Sequence, residues 1–364
     1  MSHEHFDNVS IYPESSTGSF ANLTSNQLPP AERDPNPPNA FVYHARKVYH
    51  PLGFKKGYNF TLFVIFAGIM FLFCLIRLPY LNVTGSASWS FFSNILPSDR
   101  YWYSNFTIYR VGITMHLAAI IPAGALMVFQ FIPMIRYKLL IVHRVNGYII
   151  ITLVTIANIG AIMISRRAFG GGVEVQAAVA TMAIMITTSI ALAYYNIKKI
   201  QIEQHRKWML RAMFYLGIII TMRVILFFSA RAVNKSGEYW TAVDCQELQF
   251  AYQNITVFQQ RYPSCLGSDG KSVSGFVAVH GIADGLVEQV SVGWKLSFGM
   301  AAWLSIILHV AGVEIYLALT PRETERLRQV SYQRQLERGY ANAGRGGLTA
   351  DKLGDAIKWT PNQG

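Results

Sequence analysis

The sequence predicts an all-α, polytopic membrane protein: a bundle of about six spanning helices with a disordered N-terminal tail and a helical, basic C-terminal tail. Three observations lead there. Hydrophobic residues fill 52% of the 364 positions and charged residues only 14%, against roughly a quarter charged in soluble domains. The apolar residues gather in runs of about 20, the length that crosses the hydrocarbon of a bilayer. Lys and Arg sit at the ends of those runs rather than along one folded face, so the net charge of +12 reads as membrane topology and not as a nucleic-acid surface.

Residues 1–58 come first, with Pro13, Pro29, Pro30, Pro35, Pro37 and Pro38 among Ser, Asn and Glu. Such a stretch cannot bury enough apolar surface to offset its ordering entropy, which predicts a disordered tail. The first apolar run starts after Tyr58 and no cleavable signal precedes it, so the first helix is expected to act as an uncleaved anchor. The membrane bundle is expected over 59–320, with spans near 59–80, 111–133, 145–165, 175–197, 208–228 and 296–319. A seventh crossing through 276–292 is conceivable, but Asp284, Glu288 and several Gly make it a poor one.

Basic residues in the short breaks set the topology. Lys55 and Lys56 precede the first span; Arg136, Lys138 and Arg144 lie between spans two and three; Lys198, Lys199, Arg206 and Lys207 lie between four and five. With six helices these segments and the Arg-rich tail share one side, and the positive-inside rule places both termini in the cytosol. The plasma membrane and endomembranes fit this equally.

The opposite side carries the markers of an oxidising compartment. The long loop 229–295 contains Cys245, Cys265 and the sequons at Asn234 and Asn254, and the first outer loop adds sequons at Asn82 and Asn105. Glycosylation is expected on this face, with Asn254 farthest from the membrane; Asn8, Asn22 and Asn59 would be inaccessible. Cys245 and Cys265 are the expected disulfide because Cys74 lies inside the first span, two free thiols being the alternative. In the tail, 321–364, the stretch 322–338 reads as a helix along the membrane surface. A second helical pattern, 348–359, follows the break from Ala343 to Gly347.

Ionisable residues inside a span are costly and mark candidate sites. Near the outer face lie Arg77, Arg110, His116, Arg166, Arg167 and Arg223, while the two shorter outer loops hold only Asp99 and Glu174 as acids. This excess of guanidinium around His116, Arg110, Arg77 and Arg223 predicts an anion pocket, snorkelling to the interface being the structural alternative. Near the inner face lie Gln130, Arg136, His143, Arg144, His205, Arg206, Trp208, Arg211 and Glu314. His143 and His205 share a depth and are candidate ligands; Arg211 and Glu314 are expected to pair. His309, in mid-span, reads as a hydrogen-bonded interior histidine.

The order His116, Gln130, Arg136, His143-Arg144, Gly147, His205-Arg206-Lys207-Trp208-Met209-Leu210-Arg211 and Arg223 resembles a family of membrane proteins from bacteria and fungi, known only as a domain of unknown function. The resemblance covers about 111–232. It implies a four-helix core and no activity; the first span, the Cys-bearing loop and the C-terminal extension depart from it.

The molecular function stays open among three readings, and the sequence does not settle whether the chain is an enzyme. One is a small-molecule or redox protein of the membrane, with haem b held by His143 and His205. Another is a transporter or binder of a small anionic, amphipathic or lipophilic molecule, with an enzyme using His116 as acid or base drawing on the same pocket. The third is a structural membrane protein. No metal motif, phosphate loop or nucleophile elbow is present, and besides the lipid bilayer no macromolecular partner is implied.

Overall fold

The computed structural model describes residues 39–252, 254–269 and 272–361. Of the expected N-terminal tail, 1–38 lies outside the described residues. The remainder is not all irregular: α1 (Ala40–Tyr49) is capped by Asn39, whose Oδ1 accepts the Val42 N–H at 2.9 Å, and ends with Tyr49 buried. An Asn side chain satisfies an otherwise orphaned first-turn donor, which is why the helix starts there.

Among the described residues, six helical segments are long and apolar enough to cross a membrane. They are α2 (Gly57–Arg77), α4 (Thr107–Gln130), α6 (Leu140–Ile164), α7 (Val173–Lys198), the pair α8 (Ile202–Leu216) and α9 (Ile218–Ser236), and α12 (Val287–Ala318). Short helices α3 (Pro97–Asn105) and α5 (Pro133–Lys138) flank the second span. Several helices outrun the apolar runs. α6 takes in His143-Arg144, α8 takes in His205-Arg206, and α12 begins nine residues before the expected boundary at 296. Apolar composition marks the hydrocarbon, whereas backbone hydrogen bonding continues the helix into polar sequence. No seventh crossing forms, since Phe276–His280 is a strand and Val287 opens the last helix.

The bundle follows chain order: α4 lies between α2 and α6, α7 joins α6 to α8, and α12 packs on α7, α8 and α9. α2 shows how the bilayer acts as solvent. Ala67, Met70 and Cys74, at helical spacing, are buried, while Leu62, Val64, Ile65, Phe66, Ile69 and Leu72 point outward. At the centre, Ala178, Ala193, Ala212, Ala301 and Ala302 are fully buried, small enough to bring helices close. A close crossing joins α4 and α6 at Gly112 and Gly160. A Cβ on Gly160 would stand 2.5 Å from the Gly112 carbonyl oxygen and 2.7 Å from the His116 nitrogen, so only glycine permits it.

Span five is broken at Gly217, and His309 on α12 bridges the break. Its Nδ1 donates to the Phe214 carbonyl at 2.6 Å, and its Nε2 accepts from the Thr221 hydroxyl at 2.8 Å. Both ring nitrogens are used, so the expected interior role is the one found. Arg211 and Glu314 pair as expected through two bonds of 2.6 and 2.9 Å.

Two polar units close the ends of the bundle. At the loop end, β1 (Trp240–Asp244) pairs antiparallel with β2 (Phe276–His280), so the all-helical bundle carries one two-stranded sheet. With α10 (Cys245–Ala251) and α11 (Ile255–Arg261), the unit encloses Val243, Leu248, Phe258, Tyr262 and Val279. The Cys245–Cys265 disulfide crosses it and Cys74 remains a buried thiol. One expected glycan position is buried: Asn234 is only 6% exposed and its Nδ2 donates to the Val290 carbonyl at 2.8 Å. Asn82, Asn105 and Asn254 are exposed.

At the tail end, the expected helix forms as α13 (Pro321–Glu337), separated from the last span by Thr320, and it packs on α8. Its Ser331 and Gln335 meet the turn after α7. Ser331 donates to the buried carboxylate of Glu203 at 2.8 Å, and Gln335 Nε2 donates to the carbonyls of Lys199 and Ile200. These bonds stabilise Ile200 at φ 57°, a left-handed conformation unfavourable for a β-branched residue. Of the helix expected over 348–359, only α14 (Ala350–Leu353) forms; Trp359 instead docks its Nε1–H on Glu325 at 3.0 Å.

Candidate functional site

Three of the four residues expected to form an anion pocket come together at the loop end. Arg77 closes α2 with its guanidinium 4.8 Å from the Tyr80 ring centroid and 5.6 Å from that of Phe73. Arg223, half-buried on α9, lies 5.3 Å from the Phe169 ring centroid, and Phe169 stacks on Phe298 at 4.2 Å. Arg77, Tyr80, Asp99 and Tyr103 are the electrostatic neighbours of Arg223. His116 also lies within reach of Arg223. Among the described residues neither Arg77 nor Arg223 hydrogen-bonds a carboxylate. Their rings offer cation–π attraction but no acceptor for five N–H groups each.

His116 is positioned by the close glycine crossing. Its Nδ1 lies 2.9 Å from the Ala157 carbonyl oxygen, which can only accept, so Nδ1 carries the proton and Nε2 is the acceptor. Arg110 does not join the pocket. It is exposed and donates to the carbonyls of Tyr103 and Ser104, fastening the corner between α3 and α4. The Arg in the sequence pattern was read by depth, and depth does not specify which way a side chain turns.

The group that sequence reasoning passed over is Asp99, on α3. It is 4% exposed, and its Oδ1 accepts the Phe169 N–H at 3.1 Å. Burial pushes its carboxyl from 3.8 up to about 7, with Glu247 adding to the rise and Lys295, the Phe169 N–H and Arg223 opposing it. Behind it, Lys295 pairs with Glu247, both nearly buried, and Trp102 Nε1 donates to the second Glu247 oxygen at 3.0 Å. Asp99 had stood out only as a rare acid in a basic loop. Its placement depends on contacts between α3 and the turn at 165–172, more than sixty residues away.

Chemically the cluster offers two guanidinium groups set against aromatic rings, an imidazole acceptor and a carboxyl that burial pushes up to about 7. That set suits an anion attached to an apolar body.

At the tail end the structure places His143 within electrostatic reach of His205, Arg136 and Arg144. His205 Nδ1 lies 3.0 Å from the Ala193 carbonyl oxygen and so carries its proton, leaving Nε2 free to accept or ligate. Gln130 Nε2 donates to the His143 carbonyl at 3.1 Å, and His143 Nδ1 is buried without a partner among the described residues. No cluster of three or more metal-ligating side chains occurs among the described residues.

The family described as "Predicted membrane protein (DUF2306)" matches residues 113–243. That segment holds His116, Gln130, Arg136, His143-Arg144, the His205–Arg211 string and Arg223, the residues on which the resemblance rested. The chain is also similar to the Ava biosynthesis cluster protein G of Aspergillus versicolor, with 23% identity over 316 residues, covering 73% of this chain and 90% of that protein. No solved structure matches the chain significantly.

Proposed function

We propose that this multi-pass membrane protein binds a small amphipathic anion at the loop end of its bundle, between Arg77 and Arg223. The observation that carries this reading is that two neighbouring guanidinium groups, each against aromatic rings, hydrogen-bond no carboxylate among the described residues. Two surplus cations at a membrane boundary are unfavourable unless an anion or water serves them, and an anion with an apolar body satisfies cations and rings together. The relative's printed name places that protein in a biosynthesis cluster, which supports a small metabolite as occupant and acid–base work by Asp99 and His116 on it. The tail end, rich in Lys and Arg, faces the cytosol in this reading.

The test is a fluorescence titration of the purified chain in nanodiscs with dansyl-undecanoic acid and, separately, its terminal alcohol. Saturable binding of the acid at least about tenfold tighter than the alcohol supports the reading, because one charge-assisted bidentate bond supplies that much. Equal binding of acid and alcohol contradicts it.

A second reading rests on the neighbouring His143 and His205, with His205 presenting Nε2. A b-type haem held there would give a Soret band and sharp α and β bands after dithionite reduction of the purified chain. A featureless spectrum from folded protein removes it.

A further inference from the structure

At the tail end three guanidinium groups surround one carboxylate. Arg326 donates to both oxygens of Glu323, each bond 2.8 Å. Arg136 and Arg206 are electrostatic neighbours of the same Glu323, whose strongest accepting directions are already taken. Arg206 Nη1 is buried with no hydrogen-bond partner among the described residues, its guanidinium 5.9 Å from the Tyr316 ring centroid. Arg136 is exposed and, among the described residues, donates to the Tyr137 hydroxyl at 3.2 Å. His143, the neighbour of Arg136, also keeps a buried ring nitrogen without a partner. Lys207 adds another cation beside Arg206.

The three arginines belong to segments that meet where spans end: α5 after the second span, the start of α8, and α13 after the last. That is the depth of lipid phosphates. A phosphate monoester has three terminal oxygens in a tetrahedral array, so it can take a fork from each of two arginines on different helices. A carboxylate offers two coplanar oxygens, and both oxygens of Glu323 already accept from Arg326.

We propose that a phosphate group binds at the tail end between Arg206 and Arg136, with Lys207 and His143 beside it, as a site separate from the loop-end pocket. The phosphate belongs either to a phospholipid headgroup that ends in a phosphate monoester, as in phosphatidic acid, or to a free phosphate. It supplies the acceptors that Arg206 lacks and ties α5 to α8.

The experiment is thermal unfolding of the full chain in detergent with dioctanoyl phosphatidic acid, dioctanoyl phosphatidylcholine or inorganic phosphate. A saturable rise in Tm with phosphatidic acid, absent with phosphatidylcholine, is expected. A matching rise with inorganic phosphate identifies a free phosphate as sufficient, and its absence assigns the site to lipid. Arg206→Gln should weaken the half-saturating concentration about tenfold or more. Arg206→Lys, which keeps the charge but not the fork, and the exposed Arg136→Gln carry the same test if the first variant folds poorly. No Tm shift with either phosphate, or an undiminished shift in all three variants, overturns the proposal.

Discussion

Asp99 accepts a 3.1 Å hydrogen bond from the backbone N–H of Phe169, and Phe169 is the ring that faces Arg223. One carboxyl thus holds the turn that places the Phe169 ring beside Arg223. Phe169 holds φ at 51°, a conformation that disfavours a residue with a Cβ, and the following Gly170 and Gly171 are also left-handed. The bond from Asp99 and the stack on Phe298 offset that strain.

The protonation of Asp99 should therefore be visible in both stability and binding. Its folded pKa is raised from 3.8 to about 7, so the folded state holds the proton that the unfolded state releases. Stability should fall as pH rises between those two values and level off above the upper one. Asp99→Asn keeps an acceptor for Phe169 and removes the titration, which should flatten the profile and stabilise the protein above neutral pH by on the order of 4 kcal/mol at most. Binding of an anionic probe should weaken in the wild type across the same rise and stay constant in the variant. Thermal unfolding and titrations at several pH values check both.

His309→Ala should strand the Phe214 carbonyl and the Thr221 hydroxyl at the break in span five. Each lost interhelical bond in a membrane is worth about 0.6–1.7 kcal/mol, so a fall of roughly 1–3 kcal/mol is expected. Binding at the loop end should be unchanged, because His309 lies in mid-span away from that pocket. A Tm series with a parallel binding titration checks it.

The fold was legible from the sequence because bilayer length and basic breaks fix span number almost by themselves. The six apolar runs each became a spanning segment. The disulfide followed from Cys74 being inside a span, which left Cys245 and Cys265. The site was legible in part. Arg77, His116 and Arg223 share a depth in the sequence and a neighbourhood in the structure, but Arg110 shares the depth alone. Phe169, Lys295 and Glu247 carried no local signal, and Asp99 only that of a rare acid, since each acquires its role from an element far along the chain. The tail helix was legible as α13, but its packing was not, for the same reason. Ser331 and Gln335 look like surface residues of a charged helix until the turn at Ile200 meets them.

The docked tail should loosen in acid. Burial alone would raise the Asp351 carboxyl, but the bonds from Arg328 and the Trp359 N–H outweigh it and hold the group down from 3.8 to about 2. A depressed acid stabilises fully above its unfolded value and loses that contribution as pH falls through the folded one, so the tail should detach between those two values. Asp351→Ala should release it at neutral pH at a cost of about 2 kcal/mol. Limited proteolysis after Arg338 and Arg345, fast in the variant and slow in the wild type, reads this out.

Glycan mapping tests the placement of the loop end outside the cytosol. Asn254→Gln should remove a glycosidase-sensitive mobility shift of the chain expressed in a eukaryotic host, while Asn234→Gln should leave the glycan pattern unchanged because Asn234 is buried. A shift lost only with Asn234→Gln would contradict the packing of α9 on α12.

The most direct test of the account compares three single substitutions in the dansyl-undecanoic acid titration: Arg77→Gln, Arg223→Gln and Arg110→Gln. All remove one positive charge from the same end of the bundle, but only Arg77 and Arg223 belong to the cluster with His116 and Asp99. The account predicts affinity losses of about tenfold or more for Arg77→Gln and Arg223→Gln and less than about twofold for Arg110→Gln. Equal losses in all three would reduce the site to a diffuse positive surface, and no loss in any would remove it.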